Sequence, residues 1–304
     1  MYIVNHRTLF FWITGIILAA AIAAILFFGL PLGIDFTGGS LVEVTYTGAE
    51  PSLTALDSSI GVLNLGETSL RQAGDNGVTL RSRSLTPAEH NAVLSALSLG
   101  DATSTPIVEQ QFTSVGPTLG SELATKALWA LFAVIFAIVL YIAWAFRKVP
   151  PPVPGWVYGL TVVAMLAIDI IVPTGFYAAL CHFTGAQVDS LFVVALLALL
   201  GYCVNDVIVI FDRVREHLNT NEKTGLKEAF EVTIGKSITE TLTRSINTGL
   251  TVALALVALI VFGPAATVNF ALVMLVGVLA GTFSSICRSA PLLIPLAQRF
   301  AKHY

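Results

Sequence analysis

The sequence predicts an α-helical membrane protein: six transmembrane helices with one ferredoxin-like α+β domain inserted between the first and the second. Three observations predict it. Of 304 residues, 55% are hydrophobic and only 12% charged, with a mean hydropathy of +0.81, against about 25% charged in soluble domains. Six apolar runs, at about 9–30, 124–146, 157–179, 190–211, 246–263 and 267–295, reach the ~17–25 residues that a bilayer crossing needs. The one long interval between runs, residues 31–123, has ordinary polarity and frequent turn residues. The chain therefore divides into 1–30, an N-terminal tail and first span; 31–123, a water-facing domain; and 124–304, the remaining five spans with polar loops at 147–156 and 212–245.

The first run follows Arg7 and extends from Leu9 to Leu30. At about 22 residues it exceeds the ~7–15 of a signal-peptide core, so it reads as a retained helix. The inserted domain holds ten acidic residues against three arginines, Arg71, Arg81 and Arg83. Its pattern gives strand 40–47, helix 52–63, strand 68–72, an Asp75-Asn76-Gly77 turn, strand 78–82, helix 86–99 and strand 107–114. Thr86-Pro-Ala-Glu89 is a capping box with Pro at the first helical position. The order βαββαβ is the split βαβ arrangement. In the later spans, Pro173 and Gly175 predict a kink in the third, and Pro291 and Pro295 an early end to the sixth.

Orientation follows from Lys and Arg near the helix ends, which stay cytoplasmic. Arg7, Arg147, Lys148, Arg213, Arg215, Lys223, Lys227, Lys236, Arg299 and Lys302 all fall on one side, and the loops 180–189 and 264–266 opposite carry none. Both termini are expected in the cytoplasm of a multi-pass inner-membrane protein, with 31–123 outside. The net charge of -3 and the lack of basic residues interleaved with aromatics exclude nucleic acid. Cys181, Cys203 and Cys287 match no metal-ligand spacing and read as packing residues. No Walker loop, HExxH or nucleophile–base set appears, so hydrolytic chemistry is not expected, no cofactor is called for, and work must draw on an ion gradient.

Ionisable residues inside the runs are few: Asp169 in the third, Asp206 in the fourth, Arg244 opening the fifth, and Arg288 in the sixth. Each costs ~2.5–3.5 kcal/mol at mid-helix on insertion scales, so each asks for a reason. Asp206, in GYCVNDVIVIFDR, lies about five residues from the end of its run, some ~8 Å below the interface. That is too deep for so short a side chain to reach water. Arg244, where the fifth span starts on the side on which the fourth ends, is its expected partner, with Asn205, Asn247, Thr243 and Thr248 as neutral hydrogen-bonding support. Burial disfavours the charged carboxyl and a nearby guanidinium favours it, so withdrawing Arg244 switches the site to protonated. A static interhelical bridge is the alternative. Asp169 reads as a second titrating group or a neutral, hydrogen-bonded carboxyl. Arg288 reads as an anchor snorkelling to the cytoplasmic interface, and Asp212 to Glu216 as a solvated helix extension.

Three stretches in order, GIDFTGGS (33–40), GYCVNDVIVIFDRVRE (201–216) and TLTRSINT (241–248), closely resemble the SecF family of protein-export membrane proteins, with six spans and one outer domain. The resemblance covers nearly the whole chain. It implies half of an RND-superfamily unit that works beside SecD at the SecYEG channel, in membrane lipid, using the proton motive force to draw unfolded polypeptides outward. It places Asp206 and Arg244 on proton-relay positions, Asp169 on an acidic position of the third span, and Gly33, Asp35, Gly38 and Gly39 at the junction of first span and outer domain. The outer domain is then the lever that meets the translocating polypeptide or the partner's large domain. Cys203 stands where Ser is common in the family, and 217–240 is somewhat longer than in some members. The residues leave sodium open as the coupling ion, and a small-molecule or lipid half-exporter or a non-transporting assembly subunit as other functions.

Overall fold

The structure is a computed structural model that describes residues 2–48, 50–73, 76–99, 106–226 and 228–300. Asp75 of the expected turn, and Lys227 and Lys302 of the basic flank, lie outside the described residues. In chain order the elements are α1 (Tyr2–Asn5), α2 (Arg7–Phe28), α3 (Ile34–Thr37), β1 (Gly39–Tyr46), α4 (Leu53–Gly61), β2 (Ser69–Gln72), β3 (Gly77–Ser82), α5 (Pro87–Leu97), β4 (Ile107–Val115), α6 (Pro117–Ala145), α7 (Gly155–Thr184), α8 (Ser190–Thr224), α9 (Phe230–Phe262), α10 (Ala265–Ser284), a π-helical turn (Ser285–Ser289) and α11 (Ala290–Phe300). Among the described residues six helices are long and apolar enough to cross a membrane: Arg7–Phe28, Pro117–Ala145, Gly155–Thr184, Ser190–Thr224, Phe230–Phe262 and Ala266–Arg299, the last running through the π-turn.

Two compact units form. The smaller comprises Pro31–Leu128 with Gln187–Ser190. Its sheet has the order β2-β3-β1-β4, and every neighbouring pair is antiparallel, the arrangement that βαββαβ connectivity produces. One residue in two along β1 and β3 faces the helices: Val42, Val44, Val78 and Leu80 are fully buried with Leu56 of α4 and Val93 of α5. Tyr46 donates its hydroxyl to the Leu97 carbonyl at 2.9 Å, and burial followed by the Glu50 charge pushes its phenol up to about 12. The capping box forms as read: Glu89 N–H donates to Thr86 Oγ1 and Thr86 N–H to Glu89 Oε2. Arg83 first, then Thr86, holds the Glu89 carboxyl down to about 2. A depressed carboxyl stabilises the fold above its ordinary range, and the contribution disappears as pH falls through about 2.

The larger unit comprises Met1–Leu30, Trp129–Ala186 and Leu191–Tyr304. At one end of it Tyr158 stacks on Phe146 at 5.3 Å while Phe211 meets both rings edge-on. The helices outrun the apolar stretches. α8 continues to Thr224 and α9 begins at Phe230, so the expected loop 212–245 is mostly a helical pair. Ion pairs sustain those turns beyond the apolar run: Arg213 bonds Glu240, which also meets His217, and Lys236 bonds Glu228. α7 is helical through Pro173, and the sixth span continues past Pro291 and Pro295. The wider π-turn stands just before Pro291, whose ring would otherwise crowd the carbonyl one turn back.

α2 and α7 meet at a single-atom tolerance. A Cβ on Gly175 would lie 2.5 Å from Ala21 Cα and 2.6 Å from Ala21 O, backbone that cannot rotate away. Gly175→Val should lower the thermal midpoint of the purified chain in detergent, with overpacking costing about 1–3 kcal/mol. An unchanged midpoint would mean that these helices are free to separate.

Candidate functional site

The fourth and sixth spans approach closely because the sixth presents small residues at four-residue spacing. Leu199 lies over Gly277, Cys203 over Gly281 and Asp206 over Ser285, and a Cβ on Gly281 would come 2.5 Å from Cys203 Sγ. Such a stripe lets membrane helices pack at short range. On α9, Gly249 leaves room for Tyr202 and Thr282, whose hydroxyls lie 3.0 Å apart.

Asp206 therefore sits inside the bundle, 7% exposed. Its Oδ1 accepts from Ser245 Oγ of α9 at 2.5 Å, and its Oδ2 accepts from Ser285 Oγ of the π-turn. Ser285 Oγ also lies 3.0 Å from the Thr282 carbonyl, so its one proton has two acceptors to choose between. Asp169 of α7 and Arg288 of the π-turn occupy the same buried polar layer, each 3% exposed. Asp169 lies against Ser284 and Cys203 within reach of the Arg288 charge. Arg288 donates through Nη2 to Ser284 Oγ at 3.3 Å and to Met165 Sδ at 3.4 Å.

Two expectations are corrected. Arg244 does not pair with Asp206: it is exposed, and it makes no ion pair among the described residues. Successive helix residues differ by about 100° in direction, so Ser245 takes the inward position and Arg244 faces outward beside the exposed Thr243, Asn247 and Thr248, with exposed Asn205 on α8. Arg288 does not snorkel but is buried in the bundle. The π-turn adds a residue to one turn, which brings both Ser285 and Arg288 inward. Ser245, Ser284 and Ser285 were not singled out from sequence, although the paired serines ahead of Arg288 in TFSSICRSAP were a visible signal. Among the described residues no group of three His, Cys, Asp or Glu could hold a metal, and the three cysteines are free and buried.

In the smaller unit the glycine-rich stretch closes a knot. Gly33 N–H donates to Val188 O at 2.7 Å, and Asp35 Oδ2 accepts the N–H of Ser190 at 2.8 Å. Gly38 and Gly39 have φ of +76° and +130°, and a Cβ on either would strike Pro117 or Ser82 backbone at 2.7 Å. Only glycine fits both demands.

Residues 97–299 match the family described as protein export membrane protein SecD/SecF, C-terminal, and residues 23–50 match the SecD/SecF GG motif. The chain belongs to the SecD/SecF family. It is 35% identical over 297 residues to protein translocase subunit SecF of Anaerolinea thermophila, covering 96% of this chain and 92% of that one. With the subunit of the same name from Sebaldella termitidis it shares 33% over 305 residues, covering 99% and 92%. The crystal structure of SecDF, a translocon-associated membrane protein from Thermus thermophilus, superposes with a TM-score of 0.81 at 25% identity, covering 98% of this chain and 39% of that one. The chain thus spans about two fifths of the SecDF polypeptide. As a member of this family with six apolar helices, it is a multi-pass membrane protein.

Ser245→Ala and Ser285→Ala should each destabilise the purified chain by about 1–3 kcal/mol, because each leaves a buried carboxylate oxygen without its donor. Thermal unfolding of single and paired variants tests this: either loss should shrink in an Asp206→Asn background, where the acceptor carries no charge. Equal losses in both backgrounds would mean that the serines serve packing alone.

Proposed function

We propose that this chain is a SecF-type accessory subunit of the Sec protein translocase, using the proton motive force to help export polypeptides across the cytoplasmic membrane. One observation carries the reading: Asp206, mid-helix and buried, is held by two serine hydroxyls and, among the described residues, by no cation. A carboxyl so placed is stable as an anion only while both donors point at it. When a proton arrives, the neutral group needs less from them, and Ser285 is free to turn its hydroxyl to the Thr282 carbonyl. Binding and release of one proton thereby changes the bonding between the fourth, fifth and sixth spans. A gradient of ~100 mV offers about 2.3 kcal/mol per charge that crosses, several times thermal energy and enough to bias a rigid-body motion.

The outward Arg244 fits the same reading. A guanidinium among Ile246, Leu250 and Leu254, all exposed, is costly against lipid, so this face of α9 belongs against a companion set of helices that supplies polar or acidic partners. SecD fills that role in this proposal, as the fused SecDF polypeptide suggests. The excess of Lys and Arg at one set of helix ends puts both termini in the cytoplasm and the sheet domain outside, where it meets the emerging polypeptide near SecYEG.

Inverted membrane vesicles or spheroplasts exporting a secreted reporter test this. Asp206→Asn should bring gradient-driven export down to the level of a deletion while the complex still assembles; gradient dependence equal to wild type would favour a non-transporting assembly subunit. Arg244→Lys should keep part of the activity and Arg244→Ala none, since a point charge replaces a guanidinium but a methyl group does not. Full activity in Arg244→Ala would remove the cation from the mechanism. Recovery of the chain with an outer-membrane channel instead of translocase subunits would indicate a small-molecule exporter half.

A further inference from the structure

The buried polar layer holds more charge than one proton site requires. Asp169 Oδ1 is fully buried and has no hydrogen-bond partner among the described residues. Orphaned buried acceptors are rare and cost about 1–3 kcal/mol, more when charged. Arg288 is the complementary anomaly: it is equally buried, yet its Nη2 donates to a hydroxyl and a thioether sulfur, where a guanidinium ordinarily takes a carboxylate through two parallel bonds. The opposite charges share one layer without a direct ion pair, and Ser284 stands between them. Ser284 is chain neighbour to Ser285, which holds Asp206, and both open onto the same π-turn. From α8, Cys203 lies beside both carboxyls.

We infer that Asp169 is a second proton-binding carboxyl, that Arg288 is the positioning residue governing its charge, and that the π-turn of the sixth span couples it to Asp206. With Asp169 ionised, the guanidinium neutralises it across Ser284. With Asp169 protonated, the Arg288 charge stands alone and turns to Ser284 and Met165. The turn that carries Arg288 also carries Ser285, so a change at either carboxyl is felt at the other. The titratable and charged groups facing Asp169 are Cys203 and Asp206 from α8 and Arg288 from the sixth span. Its use in transport rests on the proton-coupled reading above, but its existence does not.

Infrared difference spectroscopy on the full chain in lipid nanodiscs, between acid and alkaline pH, decides it without any export assay. Beside the bands of the solvated carboxyls, two components from buried aspartates are expected in the wild type, one lost in Asp169→Asn and the other in Asp206→Asn. At neutral pH, Arg288→Met should gain a protonated-carboxyl band that Arg288→Lys does not, and this band should vanish in Asp169→Asn/Arg288→Met. At alkaline pH, where Asp169 is ionised, the double variant should also unfold at a higher temperature than Arg288→Met, because only the single variant then holds an uncompensated buried charge. An Asp169→Asn difference spectrum identical to wild type, or an Arg288→Met spectrum without the band, overturns the inference. Because Asp169→Asn preserves side-chain shape, it remains informative if Arg288→Met fails to fold. Failure here would leave Asp206 standing alone as the proton site, whereas failure of Asp206→Asn to affect export would remove the coupling and leave the second carboxyl intact.

Discussion

A carboxylate inside a lipid-spanning bundle has to be met by donors from its neighbours, and Asp206 is met by hydroxyls from two other helices. That requirement orders much of the larger unit. The fourth span must approach the sixth closely enough for Ser285 to reach, which the small residues at 277, 281, 285 and 289 allow. The fifth must turn Ser245 inward, which commits Arg244, one residue away, to the outside. The sixth must widen into a π-turn, which swings Arg288 into the same layer as Asp169. Polar groups in a medium without water form connected networks, and this one joins four spans.

The smaller unit answers to a different constraint. Its sheet is a two-layer α+β fold whose helix-covered face is aliphatic and fully buried, so its stability is ordinary water-driven burial. The unusual part is the glycine-rich stretch preceding β1. There Gly33, Gly38 and Gly39 are pressed against the backbone of 188, 117 and 82 closely enough to forbid a side chain at those three positions, and Asp35 caps the first residue of α8.

Periodicity made the strands and the capping box legible to within a residue or two, because alternation and cap chemistry are local. Mid-run acids were equally legible: Asp169 and Asp206 stood out because an apolar run has no cheap place for them. What was hidden is what depends on direction around a helix. Position along the chain put Arg244 near Asp206, yet a single step of helical rotation gave the place to Ser245. Arg288 was misread because the π-turn breaks the regular period that assigns faces. The extended helices after Asp212 were hidden for another reason: counting apolar residues finds the lipid-crossing part of a helix and not the ion-paired turns, such as those around Arg213 and Glu240, that carry it into water.

The proposed function requires Asp206 to gain and lose a proton during export. The direct measurement is the infrared signature of its carboxyl, isolated by subtracting an Asp206→Asn sample, in the assembled translocase with and without an imposed proton gradient during export. Both protonated and ionised populations should appear, with their ratio following the gradient. A carboxyl fixed in one state under every condition, while export proceeds, would rule out Asp206 as the coupling site.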